Sequence, residues 1–116
     1  MLTPQEINER MAQIMGWVKG ESPAWYYKQT DTGKYHAIIL IDDWNPYEDY
    51  NHAFMVLEEW LDNHPKCYPE LSTNMEGKDN CYCWLKTLTL RSFIGIAPKY
   101  KWSQAICNCL MQTIKK

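Results

Sequence analysis

The chain has no Gly-rich phosphate loop, no Gly-x-Ser-x-Gly elbow and no His-Glu-x-x-His pair, so the common signatures of nucleotide hydrolases, esterases and zinc proteases are missing. No apolar run exceeds five residues, Ala37 to Ile41 being one of them, whereas a membrane-spanning helix needs about 20. No stretch has the form of a secretory signal, and five cysteines without one fit a reducing, cytoplasmic setting better than a disulfide framework. Phenylalanine is scarce, with two residues against six Trp and eight Tyr. Trp and Tyr carry a polar handle that suits half-buried contact positions, which tilts the composition toward a binding surface and a homo-oligomer.

Charge of one sign is missing from two long stretches. Between Asp42 and Asp62 there are seven acids and no Lys or Arg, and from Lys86 onward there are six bases and no acid. The two ends neutralise one another in the fold or across a subunit contact, or else the basic end faces an anionic ligand, whose local concentration such a field raises.

At 116 residues the chain fits one domain, 1–116, able to bury a real core without metal or disulfide. Thr3-Pro4-Gln5-Glu6 is a capping box that opens a helix carrying Ile7, Met11, Ile14 and Met15 on one stripe, with Gly16 ending it. Ala24 to Thr30 and Tyr35 to Ile41 read as a hairpin around Asp31-Thr32-Gly33. Because Ala37 to Ile41 does not alternate, that strand is expected to be central, with both faces covered. Asn45 or Asp49 caps a second helix whose buried stripe is Ala53, Val56, Leu57, Trp60 and Leu61, closed by Asn63-His64-Pro65. Lys66 to Asn74 is a weak strand that Pro69 confines to an edge. Residues 75–80 are a turn, Cys81 to Leu90 alternates as a strand, and Ser92 to Ala97 extends the sheet after a bend at Arg91-Ser92. A last helix runs from Ser103, its N-cap, to Ile114. The fold class is α+β, in the order α-β-β-α-β-β-α around a mainly antiparallel sheet.

The candidate chemistry is thin. Cys81 and Cys83 share one face of a strand, but Cys107 and Cys109 are about 200° apart on a helix, so a four-cysteine zinc site is not expected, nor any other metal or cofactor. His52 with Cys67 forms a thiol–base pair only if the fold brings them together. Asp42, Asp43 and Asp49 are loop and cap residues as readily as a general acid, a base or metal ligands. Arg91, Lys99, Tyr100, Lys101 and Trp102 interleave bases with aromatics, a pattern that holds phosphate and stacks a nucleobase. An acidic chain neutralises too few phosphates for a duplex, so one or two nucleotides suit this patch better.

Three segments carry a family likeness: Ile14-Met15-Gly16-Trp17; Trp44-Asn45-Pro46 with Asp49-Tyr50-Asn51-His52-Ala53 and Glu59-Trp60-Leu61; and Gln104-Ala105-Ile106-Cys107-Asn108-Cys109-Leu110. Together they resemble the phage ABA sandwich domain. The resemblance implies a phage or prophage origin, an α/β/α arrangement and residence in the host cytoplasm. By analogy with other small phage proteins, it suggests a sponge that sequesters a nucleotide signal of host defence.

The expected function is therefore non-enzymatic binding of a small anionic, nucleotide-like ligand by Trp44, Tyr47, Asp49, Asn51, Arg91, Lys99, Tyr100, Lys101 and Trp102, with no catalytic residue. The alternative is an inhibitor that docks a host enzyme through the acidic face from Asp42 to Asp62, as a DNA mimic does.

Overall fold

The computed structural model describes residues 2–20, 24–73, 80–87, 92–98 and 101–114. Along the chain these form α1 (Pro4–Ile14), β1 (Val18–Lys19), β2 (Trp25–Gln29), β3 (Tyr35–Leu40), a single 3-10 turn (Ile41–Asp43), α2 (Tyr50–Asp62), β4 (Cys67–Thr73), β5 (Cys81–Thr87), β6 (Ser92–Ala97) and α3 (Trp102–Met111). The α+β class expected from the sequence is borne out. The turn expected at 75–80, for all but Asn80, and the bend at Arg91 lie outside the described residues.

The strands divide into two antiparallel sheets, β1-β2-β3 and β4-β5-β6. The alternation of β5 explains the second. Cys81, Cys83 and Leu85 are buried against α3, while Tyr82, Trp84 and Lys86 lie half-exposed on the other face. Gly95 of β6 permits the contact, since a Cβ there would stand 2.0 Å from the Ala105 carbonyl oxygen and 2.3 Å from the Cys109 nitrogen. α1 and α2 pack on α3, and Trp17, just past α1, reaches Tyr26 of β2 with ring centroids 6.0 Å apart. The helices thus join the two sheets through one apolar cluster, rather than flanking a single sheet as the family resemblance implies.

Local sequence accounts for the helix ends. Thr3 Oγ1 accepts from the Glu6 N–H and the Glu6 carboxylate accepts from the Thr3 N–H, both at 3.2 Å, which completes the capping box. Gly16 leaves α1 at φ +77°, a conformation that disfavours a side chain. Asp49, not Asn45, caps α2: its Oδ1 accepts from the His52 N–H at 3.2 Å. His64 stacks on Trp60 at 4.0 Å where α2 ends. Pro69 lies in β4, an edge strand as its missing N–H requires.

Two expectations are corrected. β3 is an edge strand and not central: Ile39 is half-buried, the other five residues are exposed, and the apolar run reflects an exposed ribbon. Ser103 is not the cap of α3. Lys101 holds that position without a side-chain bond, while Ser103 is buried and donates to the Tyr47 carbonyl at 3.0 Å. Ser103 is the second residue of the helix, already past the position from which a side chain caps it.

Candidate functional site

A polar concavity lies where α1 meets the turn between β3 and α2. Asn8 builds it. Its side-chain amide donates to Asn45 Oδ1 at 3.0 Å and its Oδ1 accepts from the Tyr47 N–H at 2.9 Å, while its backbone carbonyl accepts from the Trp44 indole N–H at 2.8 Å. His52 supports the turn from α2: Nδ1 accepts from the Asn45 N–H at 3.1 Å, and the ring stacks on Trp44 at 5.0 Å. The accepting Nδ1 carries no proton, which leaves the neutral ring its proton on Nε2, the nitrogen 3.9 Å from the Asp49 carboxylate. The cleft has a volume of about 310 Å³ and is lined by Gln5, Asn8, Glu9, Tyr26, Ile41, Asp42, Trp44 and Asn45.

Its charged groups are hydrogen-bond acceptors. The charged lining groups are two carboxylates, Glu9 and Asp42, with no base among them. Lys19 reaches Glu9 from the side at 2.6 Å. Burial, with a smaller effect from the Glu9 charge, pushes the Tyr26 hydroxyl above its ordinary value and keeps it a neutral donor. Such a cleft suits an ammonium or guanidinium group better than a phosphate.

Of the residues expected to bind a ligand, those described do not turn their side chains to one open site, although Ser103 and Gln104 hold the start of α3 to the segment 44–49. Trp44 is only 2% exposed, so it is a core residue whose ring and N–H are already engaged by Trp17, His52 and Asn8. Tyr47 is half-buried and holds Ser103 and Asn8 through its backbone. Asp49 is the cap of α2, and Asn51 is exposed on its first turn. Lys101 and Trp102 sit at the start of α3, where Gln104 donates to Glu48 at 3.0 Å and so brings a carboxylate to the place a phosphate would need. Arg91, Lys99 and Tyr100 lie outside the described residues. Three of the six tryptophans, Trp17, Trp44 and Trp60, fill the core, while Trp25, Trp84 and Trp102 are half-buried. The sequence reading missed Asn8, Gln5 and Glu9, which carry no motif; their polar positions on α1 were the only signal.

Other candidate chemistry is likewise distributed. Cys81, Cys83, Cys107 and Cys109 are all buried free thiols, and among the described residues no three potential ligands gather for a metal. His52 and Cys67 share no hydrogen bond among those residues. The acids of α2 remain open to solvent: Glu58 and Asp62 are exposed, and neither they nor Glu59 forms an ion pair among the described residues. Compared with protein-family models, curated proteins and solved structures, the chain finds no match in any of the three.

Proposed function

We propose that the protein is a binding module without chemistry of its own, and that its acidic side docks a basic protein partner. The observation that carries this reading is the cleft whose charged lining groups are the carboxylates Glu9 and Asp42, with no base among them. Beyond it the exposed acids of α2 extend the same sign of charge along the chain. A lysine or arginine from the partner enters the cleft, and the flanking acids raise the rate of encounter. In the phage-infected cell that the family resemblance implies, the partner is a host enzyme with a basic, nucleic-acid-binding surface.

The test is capture from bacterial lysate at two salt concentrations, using the wild-type protein and a variant with Asp42→Asn, Glu58→Gln and Asp62→Asn. A specific partner, lost in the variant and released by salt, is the expected result. Equal capture by both proteins sinks the reading.

The second reading is sequestration of a nucleotide-like ligand. Its support among the described residues is Lys101 beside the half-buried Trp102 at the start of α3, whose first-turn N–H groups lack a side-chain cap. A thermal shift with one of a panel of cyclic nucleotides, and its recovery intact after heating, would favour this reading over docking.

A further inference from the structure

Two three-stranded sheets present four edges, and three of them are guarded. β1 is only two residues long. β4 carries Pro69 and Glu70, which deter pairing by a missing donor and a charge. β6 is covered by α3: the side-chain amide of Gln112 bonds both the N–H and the carbonyl of Ile94, and Asn108 Nδ2 donates to the Ile96 carbonyl at 3.0 Å. β3, Tyr-His-Ala-Ile-Ile-Leu, has no such device beyond a register shift that leaves Ile38 unpaired with β2.

β3 also presents bare apolar side chains. Tyr35, Ile38 and Leu40 are 56%, 41% and 37% exposed, and residues 31–38 are all exposed. The chain is correspondingly long, 49 × 30 × 24 Å with a radius of gyration of 15.0 Å, where a compact domain of this size has about 13 Å. The open face of β4-β5-β6 is a weaker candidate, because Lys86 lies 2.7 Å from Glu70 and 5.7 Å from the Trp84 ring centre, so a hydrated ion pair crosses it.

We infer that β3 pairs antiparallel with β3 of a second copy, making one six-stranded sheet across a two-fold axis. Register and charge select this occupant. The Thr30 N–H bonds the Lys34 carbonyl and the Ile41 N–H bonds the Ala24 carbonyl, so Lys34 and Ile41 turn their peptide groups to β2. By alternation, the peptide groups of Tyr35 and Leu40 face outward. A two-fold between Ala37 and Ile38 sets Tyr35 of each copy opposite Leu40 of the other. Lys34 then stands beside Asp42 of the second copy, and no like charges meet, because β3 itself carries no Lys, Arg, Asp or Glu. Identical strands with a base before and two acids after are self-complementary only when antiparallel.

Sedimentation velocity on the whole chain, up to its solubility limit, tests the pairing. The wild type is expected to dimerise with concentration. Ile38→Lys and Lys34→Asp each leave a monomer with unchanged circular dichroism and melting cooperativity, and the swap Lys34→Asp with Asp42→Lys restores the dimer. A wild type that stays monomeric overturns the inference, as does a dimer indifferent to these substitutions or one the charge swap fails to restore. Partner capture by the Lys34→Asp monomer, which keeps the acidic cleft, separates failure of this pairing from failure of the docking proposal.

Discussion

The indole N–H of Trp44 donates to the backbone carbonyl of Asn8 at 2.8 Å, so a core aromatic in the turn before α2 is fastened to the middle of α1. The Asn8 side chain fastens the same turn twice more, at Asn45 and Tyr47. Asn8 therefore ties α1 to the turn at three points, beside the support from His52.

Replacing Asn8 with Ala removes two part-buried hydrogen bonds and leaves the Tyr47 N–H without its acceptor. The loss is expected to be about 2–3 kcal/mol, a fall in melting temperature of roughly 10–15 °C for a domain of this size. Trp44→Phe loses the indole bond and also empties the space of the five-membered ring in the core, so it should cost at least as much. Thermal unfolding of both variants checks the order, and an Asn8→Ala change under 0.5 kcal/mol would show that the turn is held by apolar packing alone.

Two glycines separate steric from conformational need. At Gly95 a Cβ would meet the backbone of α3 at 2.0 Å from the Ala105 oxygen, an obstacle that no side-chain rotation relieves. Gly95→Ala must push α3 off β6 and should cost at least the ~1–3 kcal/mol of ordinary overpacking. Gly16 has φ +77° and nothing within 4 Å of its Cβ position, so Gly16→Ala meets only the left-handed penalty of about 1–2 kcal/mol. Urea midpoints for the pair should rank Gly95→Ala well below Gly16→Ala; the reverse order would place α3 farther from the sheet.

These contrasts mark what was legible in the sequence. Caps, the apolar stripes of the helices and the alternation of β5 are local patterns, and Thr3, Asp49 and Cys81 to Leu85 behave as local chemistry dictates. The run Ala37 to Ile41 misled because an apolar ribbon reads the same whether its cover is its own chain or another molecule. Trp44 was expected to bind a ligand, since nothing local announces that Asn8, 36 residues earlier, takes its N–H. The acidic cleft was half legible: Asp42 stood out in the charge pattern, but Glu9 joins it only through the packing of α1.

The start of α3 tests the distinction between a cap and a cross-link. Lys101 occupies the cap position with no side-chain bond, and Ser103 spends its hydroxyl on the Tyr47 carbonyl. Lys101→Ser should therefore stabilise the protein by about 0.5–1 kcal/mol. Ser103→Ala should destabilise it by about 1 kcal/mol, with loosening of the Tyr47 segment rather than fraying of α3. Amide exchange distinguishes the two, and faster exchange confined to the first turn of α3 in Ser103→Ala would restore Ser103 as the cap.

The buried thiols tie stability to alkaline pH. Burial pushes Cys81 and Cys107 above the ordinary value of 9.0, and Cys109 is raised first by its hydrogen bond to Cys83 and then by burial. A thiol held protonated in this way binds its proton more tightly in the folded chain, so the unfolded chain releases it first as the pH climbs. Stability is then complete below pH 9.0 and falls above it, by up to ~1.4 kcal/mol per pH unit for each thiol. Urea midpoints measured from pH 7 to 10.5 should turn down near 9, and Cys107→Ala should flatten the slope even though it lowers the plateau. Native alkylation gives the independent readout: Cys67, half-buried at the start of β4, reacts with iodoacetamide, while the four core thiols wait for unfolding. Labelling of Cys83 or Cys109 in the native protein at the rate of Cys67 would mean that the contact between α3 and β5 opens without global unfolding.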